Sequence, residues 1–316
     1  MADKIATREA YGNALAEFGS DSRIVVFDAD LSKSTKTDNF RKKYPERFFN
    51  MGIAEGNMMA VAAGMASCGK IAFASTFAVF AAGRAFEQIR NSICYPNLNV
   101  KVCATHAGLS VGEDGASHQA IEDIAVMRVL PNMTVISPAD AVETKFAVKA
   151  AIEHEGPVYL RLGRLSVPVI YNESSYKFEL GKGIELAEGN DAAIIATGLM
   201  VNAALEAKAL LQQEGINARV IDIHTIKPID VDMIVKAARE TGAIVTAEEH
   251  NIIGGLGSAV AEVLSENYPV PLVRVGVQDK FGKSGKPDKL LEMYGLTASD
   301  IVKSTKAVLK KKAGKL

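Results

Sequence analysis

Apolar and polar positions recur at two different periods along this chain. Short β-branched runs fall at residues 23–28 (RIVVFD), 71–76, 99–104, 133–137 and 157–162. Stretches with helical spacing separate them, at 7–18, 54–67, 83–94, 117–128 and 140–153. Strands of that length alternating with helices predict a parallel sheet covered on both faces. The pattern lapses at 171–191, where YNESSYKFELGKGIELAEGND is polar and turn-rich and reads as a linker. It resumes with apolar runs at 192–197, 217–223, 243–247 and 271–277, which predict a second, smaller domain. The expected fold class is therefore α/β: two domains, 1–177 and 178–316, each a mainly parallel sheet flanked by helices.

Length agrees, since 316 residues exceed one ordinary compact core. A 48% hydrophobic and 23% charged composition is that of a soluble globular protein. The net charge of −1 gives no reason to expect nucleic acid or an anionic membrane as a partner. The longest apolar stretch, near 58–67, is too short to span a bilayer. The opening MADKIATREA lacks the apolar core of a secretory signal. Cys68, Cys94 and Cys103 lack metal-site spacing and read as reduced core residues of a cytoplasmic protein. Lys310, Lys311, Lys312 and Lys315 read as a solvated, frayed end.

The polar residues of the first domain are not scattered. Asp28 and Asp30, Thr76 and Phe77, His106, and Arg161 and Arg164 all follow or close predicted strands. That is the carboxyl edge, where open α/β sheets bind ligands. Two motifs are set aside. GKS at 282–284 has five residues back to Gly276 where a P-loop needs four. GGLGSA at 254–259 resembles a dinucleotide turn but does not directly follow a predicted strand, so it reads as a loop and helix start.

The densest chemistry lies at 104–119, ATHAGLSVGEDGASHQ, with two histidines, adjacent Glu113 and Asp114, and three glycines. Such a loop suits a polyhydroxylated, phosphorylated substrate. Upstream, GIAEGNM (52–58) opens an Ala- and Met-rich helix, with Glu55 in apolar company and no nearby Lys or Arg. It reads either as a first-turn carboxylate facing the helix dipole or as a buried acid tuned by desolvation. Phe77 and Phe80, in STFAVFAAGRAFEQIR, taken alone read as core.

In order along the chain, GIAEGNM, ASTFAVFAAGRAFEQIR, THAGLSVGEDGASHQ and YLRLGRLSVP together resemble the C-terminal half of transketolase, its pyrimidine-binding and C-terminal domains. The resemblance spans essentially the whole chain. The family's diphosphate-binding half, with its metal-holding GDG…N segment, has no counterpart in these residues. The resemblance thus implies one subunit of a split transketolase. It would be active only with an N-terminal partner subunit that holds the thiamine diphosphate anchor and a Mg2+ or Ca2+ ion, in a dimer of heterodimers.

Position by position, Glu55 resembles the acid that bonds N1′ of the cofactor's aminopyrimidine. Phe80 and, less directly, Phe77 resemble its aromatic platform, and Asp30 a loop acid near the cofactor. Gly83 and Ala54 stand where family members can carry an aromatic residue and an Arg. His118 resembles a histidine at the sugar carbonyl, with an acid/base role. Asp114 resembles the carboxylate that selects a C2 hydroxyl. His106, Arg164, Ser34 and Arg8 resemble the phosphate-binding set. The implied reaction moves a two-carbon ketol unit from a ketose phosphate to an aldose phosphate. Alternatives are a 2-oxo acid dehydrogenase β subunit, half of a 1-deoxyxylulose-5-phosphate synthase, or a non-catalytic regulatory or scaffold subunit.

Overall fold

A computed structural model describes residues 3–314; Lys315 of the basic tail lies outside the described residues. The strands, in chain order, are β1 (Lys4–Ala6), β2 (Ile24–Asp28), β3 (Phe48–Asn50), β4 (Ile71–Phe77), β5 (Val100–Thr105), β6 (Thr134–Ile136), β7 (Val158–Arg161) and β8 (Ser166–Pro168), followed by β9 (Ile184–Ala187), β10 (Ala192–Ala196), β11 (Ala218–Asp222), β12 (Thr225–Lys227), β13 (Ile244–Asn251) and β14 (Leu272–Val277). They form a seven-stranded sheet of order β12-β6-β7-β5-β4-β2-β3 and a five-stranded sheet of order β14-β13-β10-β11-β9. Each is parallel except at one edge strand, β12 in the first and β9 in the second. β1 and β8 make a small antiparallel pair. Two mainly parallel sheets flanked by helices are the fold class that the sequence pattern predicts.

The central strands are apolar without interruption because both faces are covered. β2, β4, β5 and β7 are buried at every position. On one face the helix Glu55–Ser67 packs Met58, Met59, Ala62, Ala63 and Ala66 into the same cluster as Phe27, Ala72 and Ala74. Small side chains let this helix lie close on the sheet, and so bring Glu55, its first residue, to the strand ends. Parallel register aligns those ends: Asp28 pairs with Ser75, Phe77 with Thr105, and Ala104 with Arg161.

Several elements depart from the periodicity. The helix expected at 83–94 begins at Ala78 and runs to Gly83; a short turn Phe86–Gln88 and a π-helix Ile89–Cys94 follow. The helix expected at 117–128 is reduced to Asp123–Arg128, because residues 115–122, which follow a short 3-10 turn at Leu109–Asp114, are held as a loop by side chains described below. The linker at 171–191 contains β9, which closes the edge of the second sheet beside β11. β13 continues to Asn251 rather than ending near 247. GGLGSA therefore does follow a strand closely, and its helix Leu256–Asn267 starts there. The Glu248 carboxylate accepts from the Leu256 and Gly257 N–H groups at 2.7 and 2.8 Å, filling the place a phosphate would take.

Two residue-level readings also change. Cys68 is exposed, while Cys94 and Cys103 are buried. The basic tail is not frayed at Lys312. The helix Ala298–Lys312 ends there, and its ammonium group donates to the Thr241 and Asp191 carbonyls at 2.7 and 3.2 Å.

Candidate active site

The carboxyl edge of the seven-stranded sheet gathers four rings. Phe77 ends β4 and Phe80 lies in the helix it leads into, so their rings stack with centroids 5.7 Å apart. His106, just past β5, stacks on Phe77 at 3.8 Å. The His118 ring meets Phe80 edge-on at 5.5 Å and Phe77 at 6.4 Å. Phe77 is buried, but Phe80 is only half-buried, so part of its ring is open. The Thr76 hydroxyl is buried at the same edge without a partner.

His106 is tightly determined. Its backbone sits at φ +57°, an uncommon conformation for a residue with a side chain. An Arg8 guanidinium nitrogen lies 3.2 Å from Nε2. Arginine can only donate, so Nε2 accepts and the proton sits on Nδ1, which donates to the Thr105 hydroxyl at 2.9 Å. Burial, reinforced by Arg8, Arg164 and His118, pushes the His106 pKa down to about 3. It is a neutral acceptor beside two guanidinium groups. Arg8 also donates to the carbonyl oxygen of Ser34 at 2.9 Å, so the contact with Ser34 runs through its backbone.

Glu55 corrects the sequence reading most sharply. It is buried, at 4% exposure, yet it is not without a cation. Arg84 Nη1 donates to Glu55 Oε1 at 3.0 Å, and the same guanidinium lies over Phe80, 4.0 Å from the ring centroid. Sequence neighbours of Glu55 gave no sign of this, because the pair is 29 residues apart. The spacing from Phe80 to Arg84, four residues, was the available signal, since it places both on one helical face.

The polar loop is built from both halves of the molecule. Glu249 in β13 accepts from the Ser110 N–H at 2.5 Å, with its other oxygen 3.3 Å from the Ser110 hydroxyl. Gly108, at φ +81°, is obligatory there, because a Cβ would lie 2.3 Å from the Glu249 carboxyl carbon. Gln119 donates to the carbonyls of Leu109 at 3.2 Å and Lys283 at 2.9 Å. The GKS segment is thus a brace for this loop rather than a phosphate cradle. Gln119 and Glu249 were not singled out by the sequence. Burial drives the Glu249 pKa up to about 7, against the opposing influence of Arg161.

Arg161 proves structural. Its guanidinium is bidentate to Asp123 at 2.8 and 3.1 Å and donates to the Glu249 carbonyl at 3.0 Å. Asp28 is likewise internal, accepting from the Thr35 and Thr37 hydroxyls at 2.7 and 2.9 Å. Of the remaining sequence candidates, Arg164 donates to the Val111 carbonyl and reaches Glu113 at 3.5 Å. Asp114 is exposed in the same loop, on the turn before Gly115. His118 is half-buried, with Ser117 Oγ 3.0 Å from Nδ1. Asp30 is exposed, at φ +63°, bonded to Asn50 at 2.8 Å and not to the ring cluster.

Comparison with known proteins accounts for this arrangement. Residues 3–169 match the family model for the transketolase pyrimidine binding domain, and residues 181–301 that for the transketolase C-terminal domain. The chain belongs to the transketolase family. A solved structure described as a split gene transketolase, inactive beta4 tetramer, superposes with a TM-score of 0.92 at 63% identity, covering 98% of this chain and 99% of that one. A Methanocaldococcus jannaschii protein named as a transketolase C-terminal section is 52% identical over 96% of each chain. Human transketolase is 39% identical over 98% of this chain but 50% of its own length. The chain is thus similar to the C-terminal half of a transketolase, in the form found in split transketolases.

Proposed function

We propose that the chain is the C-terminal subunit of a thiamine diphosphate-dependent transketolase, moving a two-carbon ketol unit from a ketose phosphate to an aldose phosphate. One observation carries the reading: a buried carboxylate, a half-open aromatic ring and a guanidinium–histidine cluster share one sheet edge. The donor set fits the pyrimidine half of the cofactor. Glu55 would hold its ring nitrogen, and Phe80 with Phe77 would offer the stacking face. Asp30 is assigned nearby. When bound, the cofactor supplies the nucleophilic carbon and the electron sink.

The other roles follow from position and charge. His118, edge-on to Phe80, would hold or move a proton at the sugar carbonyl oxygen. Asp114 would accept from a sugar hydroxyl. Arg8 and Arg164 would bind the phosphate through charged N–H groups, with neutral His106 holding Arg8 and Ser34 lining the same place. Among the described residues no group of three His, Cys, Asp or Glu side chains is placed to hold a metal ion. Following the family resemblance, we assign Mg2+ or Ca2+ to an N-terminal partner chain, which would also anchor the diphosphate, in a dimer of heterodimers. The domain division is placed at 177/178. The cytoplasm is the proposed location, on three unpaired cysteines.

The test is Glu55→Gln in the complex reconstituted with such a partner. Ketol transfer should fall by about 10²- to 10⁴-fold, the ordinary range for a lost acid/base contact, with the fold intact by circular dichroism. Activity near wild type would remove Glu55 from the chemistry and the reading with it.

A further inference from the structure

We infer that Arg84 occupies the aminopyrimidine's place in this chain, and that the cofactor binds by exchange with it. The inference rests on the thiamine diphosphate reading above. In that reading the ring takes two contacts from this chain, the face of Phe80 and a hydrogen bond with Glu55. Arg84 makes both. Its guanidinium carbon lies 4.0 Å from the Phe80 centroid, and its Nη1 lies 3.0 Å from Glu55 Oε1. A guanidinium is planar and delocalised, and it stacks on aromatic rings as readily as it pairs with carboxylates.

The local structure suits a replaceable contact. Arg84 ends the helix Ala78–Gly83 in helical geometry, so its side chain reaches back over the turn that carries Phe80. Its side chain is 53% exposed, against 4% for Glu55. It can swing into water at little cost, whereas Glu55 cannot. Next to it, Gly83 has open space where a Cβ would stand, so this side of the turn is unpacked. The arrangement also solves a physical problem. A buried carboxylate without a partner is strongly unfavourable, and Arg84 supplies one whenever the ring is absent. Docked Arg84 and the ring then compete for the same surface. The apparent affinity for cofactor is lowered by the fraction of molecules in which Arg84 is displaced.

Thiamine diphosphate titrated calorimetrically into the complex with a diphosphate-binding partner tests this, using wild type, Arg84→Ala and Arg84→Met. Both variants should bind more tightly, by about three- to thirty-fold in Kd, as expected when a competing docked state is removed. An unchanged or higher Kd in both overturns the exchange. So does a structure of the loaded complex in which Arg84 remains on Phe80 and within hydrogen-bond distance of Glu55; the exchange predicts it moved away from both. If neither wild type nor variants bind the cofactor, the thiamine diphosphate reading itself fails, and the exchange fails with it.

Discussion

At the scale of single residues, charge and burial divide the candidates into those free to act and those already committed. Arg161 and Asp28 spend their polar atoms inside the protein. Arg8 is half-buried, and its guanidinium Nε is buried without a partner, so it retains donor capacity. Arg8→Ala should raise KM for phosphorylated sugars by about 10- to 100-fold, the worth of one or two charge-assisted hydrogen bonds. An unphosphorylated donor should be little affected; steady-state kinetics on both substrates checks this. His106 makes a pH prediction. Its folded pKa of about 3 lies below the ordinary histidine value of 6.5. The unfolded chain therefore binds the proton first, and His106 costs stability progressively as pH falls from 6.5 toward 3. His106→Gln should flatten that part of the pH profile of the urea midpoint. These residue types were legible in the sequence as polar groups at strand ends. Which of them are internally paired was not, because Asp123 and Arg161 meet across 38 residues of chain.

At the scale of elements, the site loop 104–119 is specified from a distance. Its helical-looking segment does not continue as a helix because Gln119, Glu249 and Gly108 fix another backbone path. Gly108→Ala should cost about 1–3 kcal/mol, the usual penalty for forcing a side chain into such a conformation. It should also lower activity by displacing the loop; thermal melts and kinetics on the same variant would show both. The parallel strands were legible as short uninterrupted apolar runs, and the helices Thr7–Phe18, Glu55–Ser67 and Ala141–Glu153 as the longer stretches between them. The helix Ala78–Gly83 and the π-helix after it were not legible, since an Ala-rich run carries little periodicity.

At the scale of the molecule, the two sheets are tied together by groups that no local pattern announces. β12, from the C-terminal part, completes the first sheet beside β6. Glu249 reaches from the second sheet to the site loop. Its pKa, raised by burial to about 7 from the ordinary glutamate value of 4.5, makes the tie pH-dependent. The folded state keeps this proton while the unfolded chain releases it, so the contribution of Glu249 to stability falls as pH rises from 4.5 through 7. Glu249→Gln should keep the fold and remove that decline, as read from urea midpoints between pH 5 and 8. No helix among the described residues is long and apolar enough to cross a membrane. The chain also corresponds to about half of human transketolase. On the proposed function, it furnishes half of a shared active site. The most direct measurement is ketol transfer from a ketose phosphate to an aldose phosphate, with thiamine diphosphate and Mg2+, by this chain alone and by this chain with a diphosphate-binding partner. No turnover is expected from the chain alone and robust turnover from the two together. High activity from the chain by itself, or none with any such partner, would contradict it.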